Sequence, residues 1–274
     1  MRDLDAVLAT TGHWAPDTVA IGVTNADQTM ATHGPVDLEL PLASLSKPLT
    51  AYAVLVGVQQ GLLSLDEPFG PADGATVRHL LAHAGGVPLD EGMPINTPER
   101  RRMYSNWAFE LLGALVADRS DTPFADFLAL EVLDPLGMSA TSIDGSPARD
   151  GRGTVTDLLT FARELLAPHL LDKGLHAEAT SIAFAGLDGV LPGHGRQRPN
   201  DWGLGFEIRG RKDPHWLGTS VSVTTFGHFG QSGGFLWVDP ELGIACAELA
   251  DQPFGDWTAE VWPDLSDEIV AAVR

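Results

Sequence analysis

A single cysteine in 274 residues excludes an internal disulfide and the multi-cysteine zinc clusters. That residue, Cys246, sits in the apolar run Gly243-Ile244-Ala245-Cys246-Ala247 and reads as a buried strand position. Cations are also scarce. Lys and Arg total 17 against 37 Asp and Glu, a formal net charge of −20. Such a surface repels phosphate backbones and anionic lipid, so neither nucleic acid nor a membrane is expected as a partner. No apolar run is long enough to span a bilayer. Met1–Asp17 carries Asp3 and Asp5 around a short apolar stretch and does not read as a secretory leader. Together with the lone cysteine, this predicts a cytoplasmic location. H-E-x-x-H, Walker A and G-x-G-x-x-G motifs are missing, so no metal and no nucleotide cofactor is expected. Repeats and low-complexity linkers are missing too, which leaves one domain with one sizeable core or two small lobes sharing a cleft.

Two residue types used sparingly meet in two short motifs. Lysine occurs only at Lys47, Lys173 and Lys212, and Lys47 closes Ser44-Leu45-Ser46-Lys47. Tyrosine occurs only at Tyr52 and Tyr104, and Tyr104 opens Tyr104-Ser105-Asn106. Residue frequencies predict roughly 0.1 chance occurrences of S-x-x-K in this chain, so coincidence in the right order is a poor explanation. S-x-x-K followed by Y-x-N marks a serine nucleophile with a lysine and a tyrosine as proton handlers. One helical turn puts Lys47 on the same face as Ser44. Burial disfavours the ammonium form, so Lys47 is expected to approach neutrality. A phenol held beside a lysine is expected to lose its proton more readily, bringing Tyr104 toward working pH. The two titrate as one unit, and spacing does not say which is the base. Asn106 would orient a substrate carbonyl or Tyr104 itself.

The pattern along the chain is β-rich at both ends and helical between. Asp3–Thr10 predicts a short helix, and Thr18–His33 a hairpin turning at Asn25-Ala26-Asp27. A helix apolar nearly all round runs from Ser44–Lys47 to about Gln60 and is stopped by Gly61. Helices are expected at Val77–Ala84, Trp107–Asp118, Phe124–Leu133, Thr156–Leu166 and, closing the chain, Asp264–Val273. Strands resume after Trp202, with a turn at Asp239-Pro240-Glu241-Leu242-Gly243. The economical architecture is α+β: an α/β sandwich whose central antiparallel sheet is assembled from both chain ends and flanked by helices, plus an inserted helical lobe. Lobe 1 would comprise residues 1–60 and 200–274, and the mostly helical lobe 2 residues 61–199, with the site in the groove between them.

These residues resemble the serine β-lactamase and penicillin-binding-protein superfamily, in particular class C β-lactamases, D-alanyl-D-alanine carboxypeptidases and related esterases. Ala43–Tyr52 is similar to that family's nucleophile helix, Met103–Val116 to its tyrosine motif, and Phe226–Leu249 to the strand bearing its third motif. Gly61–Phe69, His79–Pro88, Asp134–Ser142 and Thr154–Leu166 match further segments, so the likeness spans nearly the whole chain. It implies a β-lactamase/transpeptidase-like fold and an acylated Ser44. It also implies Lys47 and Tyr104 as general base and acid, Asn106 as the substrate-facing amide, and His228 and Gly230 as the third motif. Backbone N–H groups of Ser44 and Gln231 would form the oxyanion hole. The substrate would be a small ester, amide or lactam.

The family usually has lysine where this chain has His228. A neutral imidazole binds a substrate carboxylate less well than an ammonium, which favours ester or amide hydrolysis over β-lactamase or D,D-peptidase activity. Acyl transfer to an alcohol or amine shares the same acyl-enzyme and stays open, as does a catalytically silent binding protein on the same fold. His83-Ala84-Gly85 also fits H-x-G, and Gly230-Gln231-Ser232-Gly233-Gly234 fits the G-x-S-x-G nucleophile elbow. The elbow needs a helix after its serine, whereas Phe235-Leu236-Trp237-Val238 reads as a strand. Trp202, Trp216, Trp257 and Trp262 are available for packing or for an oligomer interface.

Overall fold

The computed structural model describes residues 3–274. Among the described residues, eleven strands and nine α-helices follow one another in the order α1 (Leu4–Ala9), β1 (Val19–Asn25), β2 (Thr29–His33), β3 (Leu40–Ala43), α2 (Ser46–Gln59), α3 (Val77–Leu81), α4 (Asn106–Ser120), α5 (Phe124–Leu128), α6 (Asp134–Leu136), β4 (Ser142–Ile143), β5 (Gly151–Gly153), α7 (Val155–Leu166), α8 (Lys173–Ala179), β6 (Gly189–Leu191), β7 (Gly195–Gln197), β8 (Glu207–Ile208), β9 (Phe226–Gly230), β10 (Gly234–Asp239), β11 (Ile244–Ala250) and α9 (Asp256–Val273). The fold is α+β, as the layout implied.

Six strands form an antiparallel sheet in the order β2-β1-β11-β10-β9-β8. The chain ends meet where β1 pairs with β11, from Val19 opposite Ala250 to Asn25 opposite Ile244. Both faces are covered, so β9, β10 and β11 are buried at every position and lack a polar alternation. On one face Phe235, Trp237 and Cys246 pack with Val7 and Leu8 of α1 and Trp262 and Ile269 of α9. On the other, Leu236, Val238 and Leu249 pack with Leu158 and Leu159 of α7 and with the core around α2. Thus α7, which falls within residues 61–199, lies against the sheet and contacts β1, β10 and β11.

Helix α2 is the hub. Every residue from Ser46 to Gly57 is buried, which matches its apolar content all round. Pro48 is tolerated in the first turn, where its missing N–H has no intrahelical partner to lose. Gly61, at φ 75°, ends the run.

Three of the expected helices differ from the sequence reading, and the first, α3, stops at Leu81 and not at Ala84 because His83 takes a left-handed φ of 54°. Helix α9 begins at Asp256 and not at Asp264, because Trp257 and Trp262 bury against the sheet and hold the extra turns together. Pro263 is accommodated within it. Phe124–Leu133 is an α-helix only to Leu128, and Ala129–Leu133 continues as a π-turn. Among the described residues, no helix is long and apolar enough to cross a membrane.

Candidate active site

Ser44 stands in the turn between β3 and α2, and the turn is tightly specified. Ala43, just before it, has φ 46°, a left-handed conformation that a residue with a side chain holds only under external constraint. Ser46 supplies that constraint. Its Oγ donates to the Ala43 carbonyl at 2.7 Å and accepts from the Gly151 N–H at 2.9 Å. A Cβ on Gly151 would lie 2.6 Å from the same oxygen, so the approach requires glycine. Lys47 follows in the first turn of α2, its side chain fully buried beneath Ser44.

Tyr104 and Asn106 arrive at the start of α4. The residue between them caps the helix: Ser105 Oγ accepts from the Ala108 N–H at 3.0 Å and donates to the Pro88 carbonyl. The Tyr104 hydroxyl donates to Ser44 Oγ at 2.8 Å. Lys47 Nζ is 2.8 Å from Asn106 Oδ1, 2.8 Å from the Ala148 carbonyl and 3.3 Å from Ser44 Oγ. It also lies 4.7 Å from the centre of the Tyr104 ring. Asn106 Nδ2 donates in turn to Asp90 Oδ1 at 3.4 Å.

Strand β9 carries the remaining candidates. His228 Nδ1 is 2.6 Å from the Phe229 carbonyl and therefore bears the hydrogen. That leaves Nε2 a buried acceptor with no partner among the described residues. A Cβ on Gly230 would lie 2.5 Å from the Leu42 carbonyl, so glycine lets β9 run against β3, the strand that delivers Ser44. Gln231 opens the following turn and is exposed.

These groups converge on a cavity of about 450 Å³. Ser44, Tyr104, Asn106, His228 and Gln231 line it, Lys47 lies behind Ser44, and Gly230 backs the wall. Leu89, Leu191, Trp202 and Phe229 make the rest of the lining largely apolar. His83, the second H-x-G histidine, does not line the cavity. It packs behind Tyr104 with ring centres 4.7 Å apart, and its Nδ1 accepts the Ser105 N–H at 3.2 Å. Ser232 sits in the turn before strand β10, so the helix that an elbow requires is missing there.

Burial, assisted by the nearby Arg149 guanidinium, lowers the Lys47 pKa to about 7, against opposing pulls from Glu110 and Asp90. The expectation for Tyr104 needs correction. Its hydroxyl end is turned inward, and the loss of water there pushes the phenol well above its usual range, outweighing its hydrogen bond to Ser44. Burial and Lys47 hold His228 down to about 3, so its imidazole is neutral.

Three contributors escaped the sequence reading. Ser46 looked like a spacer inside S-x-S-K. Arg149 lay in a loop with no motif. Arg102 staples the backbone behind Tyr104 by donating to the carbonyls of Ala82 at 2.7 Å, Asn200 at 3.1 Å and Phe184 at 3.1 Å, and to that of Ala183. Only the scarcity of cations in an acidic chain hinted that such residues have specific tasks. Among the described residues, no group of three or more His, Cys, Asp or Glu side chains is placed to hold a metal ion.

The family model described as Beta-lactamase matches residues 11–271. A crystal structure described as a beta-lactamase (Mb2281c) from Mycobacterium bovis is 46% identical, with a TM-score of 0.96 over 97% of this chain and 99% of that one. Simvastatin synthase from Aspergillus terreus shares the fold at 14% identity, with a TM-score of 0.79 over 98% of this chain and 94% of that one. Penicillin-binding protein 4* of Bacillus subtilis is 29% identical over 134 residues, a match that takes in 37% of this chain and only 30% of that protein's length.

Proposed function

The chain belongs to the beta-lactamase family, and from that premise we propose that it is a serine hydrolase cleaving an ester or amide through an acyl-enzyme on Ser44. The observation that carries the proposal is the hydrogen-bond pattern at Lys47. Two neutral acceptors, Asn106 Oδ1 and the Ala148 carbonyl, take two N–H bonds. As an ammonium Lys47 would give its third N–H to Ser44 Oγ at 3.3 Å; once neutral it keeps only two, and its lone pair is left facing that oxygen. With a pKa near 7, a substantial fraction of Lys47 is in that form at neutral pH. Tyr104, kept protonated, donates to the same oxygen. Lys47 is thus the base and Tyr104 the acid.

In this reading, Lys47 takes the Ser44 proton as Oγ attacks the substrate carbonyl. Backbone N–H groups of Ser44 and Gln231 stabilise the oxyanion. Tyr104 protonates the departing alcohol or amine and is reprotonated from Lys47. Water then attacks the acyl-enzyme by the reverse relay, releasing the acid and free Ser44. Asn106 fixes the lysine. His228, neutral and with Nε2 free to accept, suits a substrate hydrogen-bond donor better than a carboxylate. That favours esters and amides over β-lactams or D,D-peptides. The apolar lining around Ser44 favours a second reading, transfer of the acyl group to a bound alcohol or amine. A cytoplasmic location belongs to the same proposal, supported by the single, unpaired and buried Cys246.

Intact-protein mass after exposure to a fluorophosphonate probe tests the nucleophile. One adduct is expected on the wild type and on Ser232→Ala, and none on Ser44→Ala. An adduct that follows Ser232, or none on the wild type, would overturn the assignment. Product analysis of an ester screen with and without added alcohol then separates hydrolysis from transfer.

A further inference from the structure

The catalytic cavity continues past Tyr104 into a second cleft of about 520 Å³. The two share Leu89, Tyr104 and Pro192 as common walls. The second cleft is lined by arginine. Arg101 and Arg196 face it and also face the adjoining hollow, where Arg100 joins them. Arg102 lines it as well, but its guanidinium is already committed to backbone carbonyls. The one carboxylate lining either hollow is Asp188. It is divided between two arginines, accepting from Arg196 Nη2 at 3.2 Å and lying 3.3 Å from Arg198 Nε. The Arg101 side chain has no ion pair or hydrogen bond among the described residues. Positive charge is therefore in local excess, in a chain whose net charge is −20. The overall field repels anions, so retention of an anion here depends on this cluster. Leu89 and Val190, 49% and 59% exposed, add apolar surface beside the arginines.

We propose that this second cleft binds an anionic group, a carboxylate or a phosphate, carried on the leaving-group half of the substrate, whose apolar body lies against Leu89 and Val190. Guanidinium groups match both oxyanions through paired N–H donors. Placing the anion on the leaving half rests on the acyl-Ser44 reading. Tyr104 hands its proton to the leaving group, so that half departs on the side of Tyr104, where the second cleft opens.

The test is calorimetric titration with three probes shaped like leaving groups: 4-hydroxyphenylacetate, its neutral methyl ester, and phenyl phosphate. The wild type is expected to bind at least one anion about tenfold or more tighter than the ester, and Arg101→Gln/Arg196→Gln is expected to lose that preference. Whichever anion binds tighter identifies the carboxylate or the phosphate source. Equal binding of acid and ester, or a preference that survives the double variant, overturns the site. Arg101→Gln alone replaces the double variant if the latter loses its near-ultraviolet circular dichroism. Fluorophosphonate labelling of the wild type is read in parallel. Anion preference without labelling of Ser44 would sink the acyl-enzyme reading and leave the anion site standing, whereas labelling without anion preference would do the reverse.

Discussion

Lys47 and Lys212 are both buried lysines, and they are embedded in opposite ways. Lys47 Nζ meets an amide oxygen, a backbone carbonyl and a hydroxyl, all neutral. Lys212 Nζ donates to the Glu207 carboxylate and to the carbonyls of Asp201 at 2.7 Å and Ile208 at 2.5 Å. Burial pulls both ammonium groups down, but at Lys212 the Glu207 charge offsets part of that pull. Glu207 also accepts from His215 Nε2 and Trp216 Nε1, each at 3.1 Å. Burial alone would raise its carboxyl, yet Lys212 and His215 together hold it well below the usual range. His215 Nδ1 accepts from the Leu217 N–H at 2.9 Å, so its Nε2 bears the hydrogen given to Glu207. The cluster is fully satisfied and ties the chain after β8 together. A buried lysine whose partners carry no charge is free to titrate, as the proposed base must, whereas an equally buried one beside a carboxylate is fixed as an ion pair.

The largest expected effect falls on Lys47. Lys47→Ala should lower kcat/KM on the order of 10⁴-fold or more, with little loss of thermal stability, because no buried counter-charge is orphaned. A variant that keeps most of its turnover would end the comparison. Lys212→Met should act the other way. It strands the Glu207 carboxylate in the interior and should destabilise the protein by about 3–5 kcal/mol, read from urea unfolding, with kcat per folded molecule close to wild type. Combining it with Glu207→Gln should recover much of that stability. A fall in kcat without a fall in stability would instead make Lys212 part of the catalytic apparatus.

The smallest effect sharpens the electrostatics. In the proposed mechanism Lys47 acts unprotonated, so kcat/KM should rise with pH through about 7 and level off above it. The same depressed pKa makes the unfolded chain bind more protons between about 7 and the ordinary lysine value of 10.5, so this lysine's contribution to stability rises with pH across that window. Arg149→Ala removes a cation that disfavours the ammonium form. It should raise the Lys47 pKa and move the activity midpoint to higher pH by less than roughly one unit, since Arg149 is partly solvated. A midpoint that stays fixed would leave burial as the sole cause of the shift.

The sequence was legible where the relevant partner is close in the chain. The hairpin at Asn25–Gln28 and the stop at Gly61 are both set by neighbours within a turn. Ser44 and Lys47 share a face because the turn leading into α2, closed by the Lys47 N–H on the Ser44 carbonyl at 3.1 Å, brings residues three apart together. Helix α9 was misjudged at its start because Pro263 is a local breaker, while the two tryptophans that outweigh it act through the sheet. The phenol of Tyr104 was misjudged because proximity to lysine could be read from the motif and the depth of its burial could not.

What the sequence determined alone, then, is the set of reactive residue types, their short-range spacing, and the α+β pattern that assembles a sheet from both chain ends. The tertiary structure decided which H-x-G histidine faces the cavity and which packs behind Tyr104. It also decided the protonation states. Lys47 is tuned by the exclusion of water from around it and by Arg149, and it is held in place by Asn106, 59 residues away, and by the Ala148 carbonyl, 101 residues away. A pKa is a property of a dielectric environment, and that environment exists only once distant segments have closed around the amine.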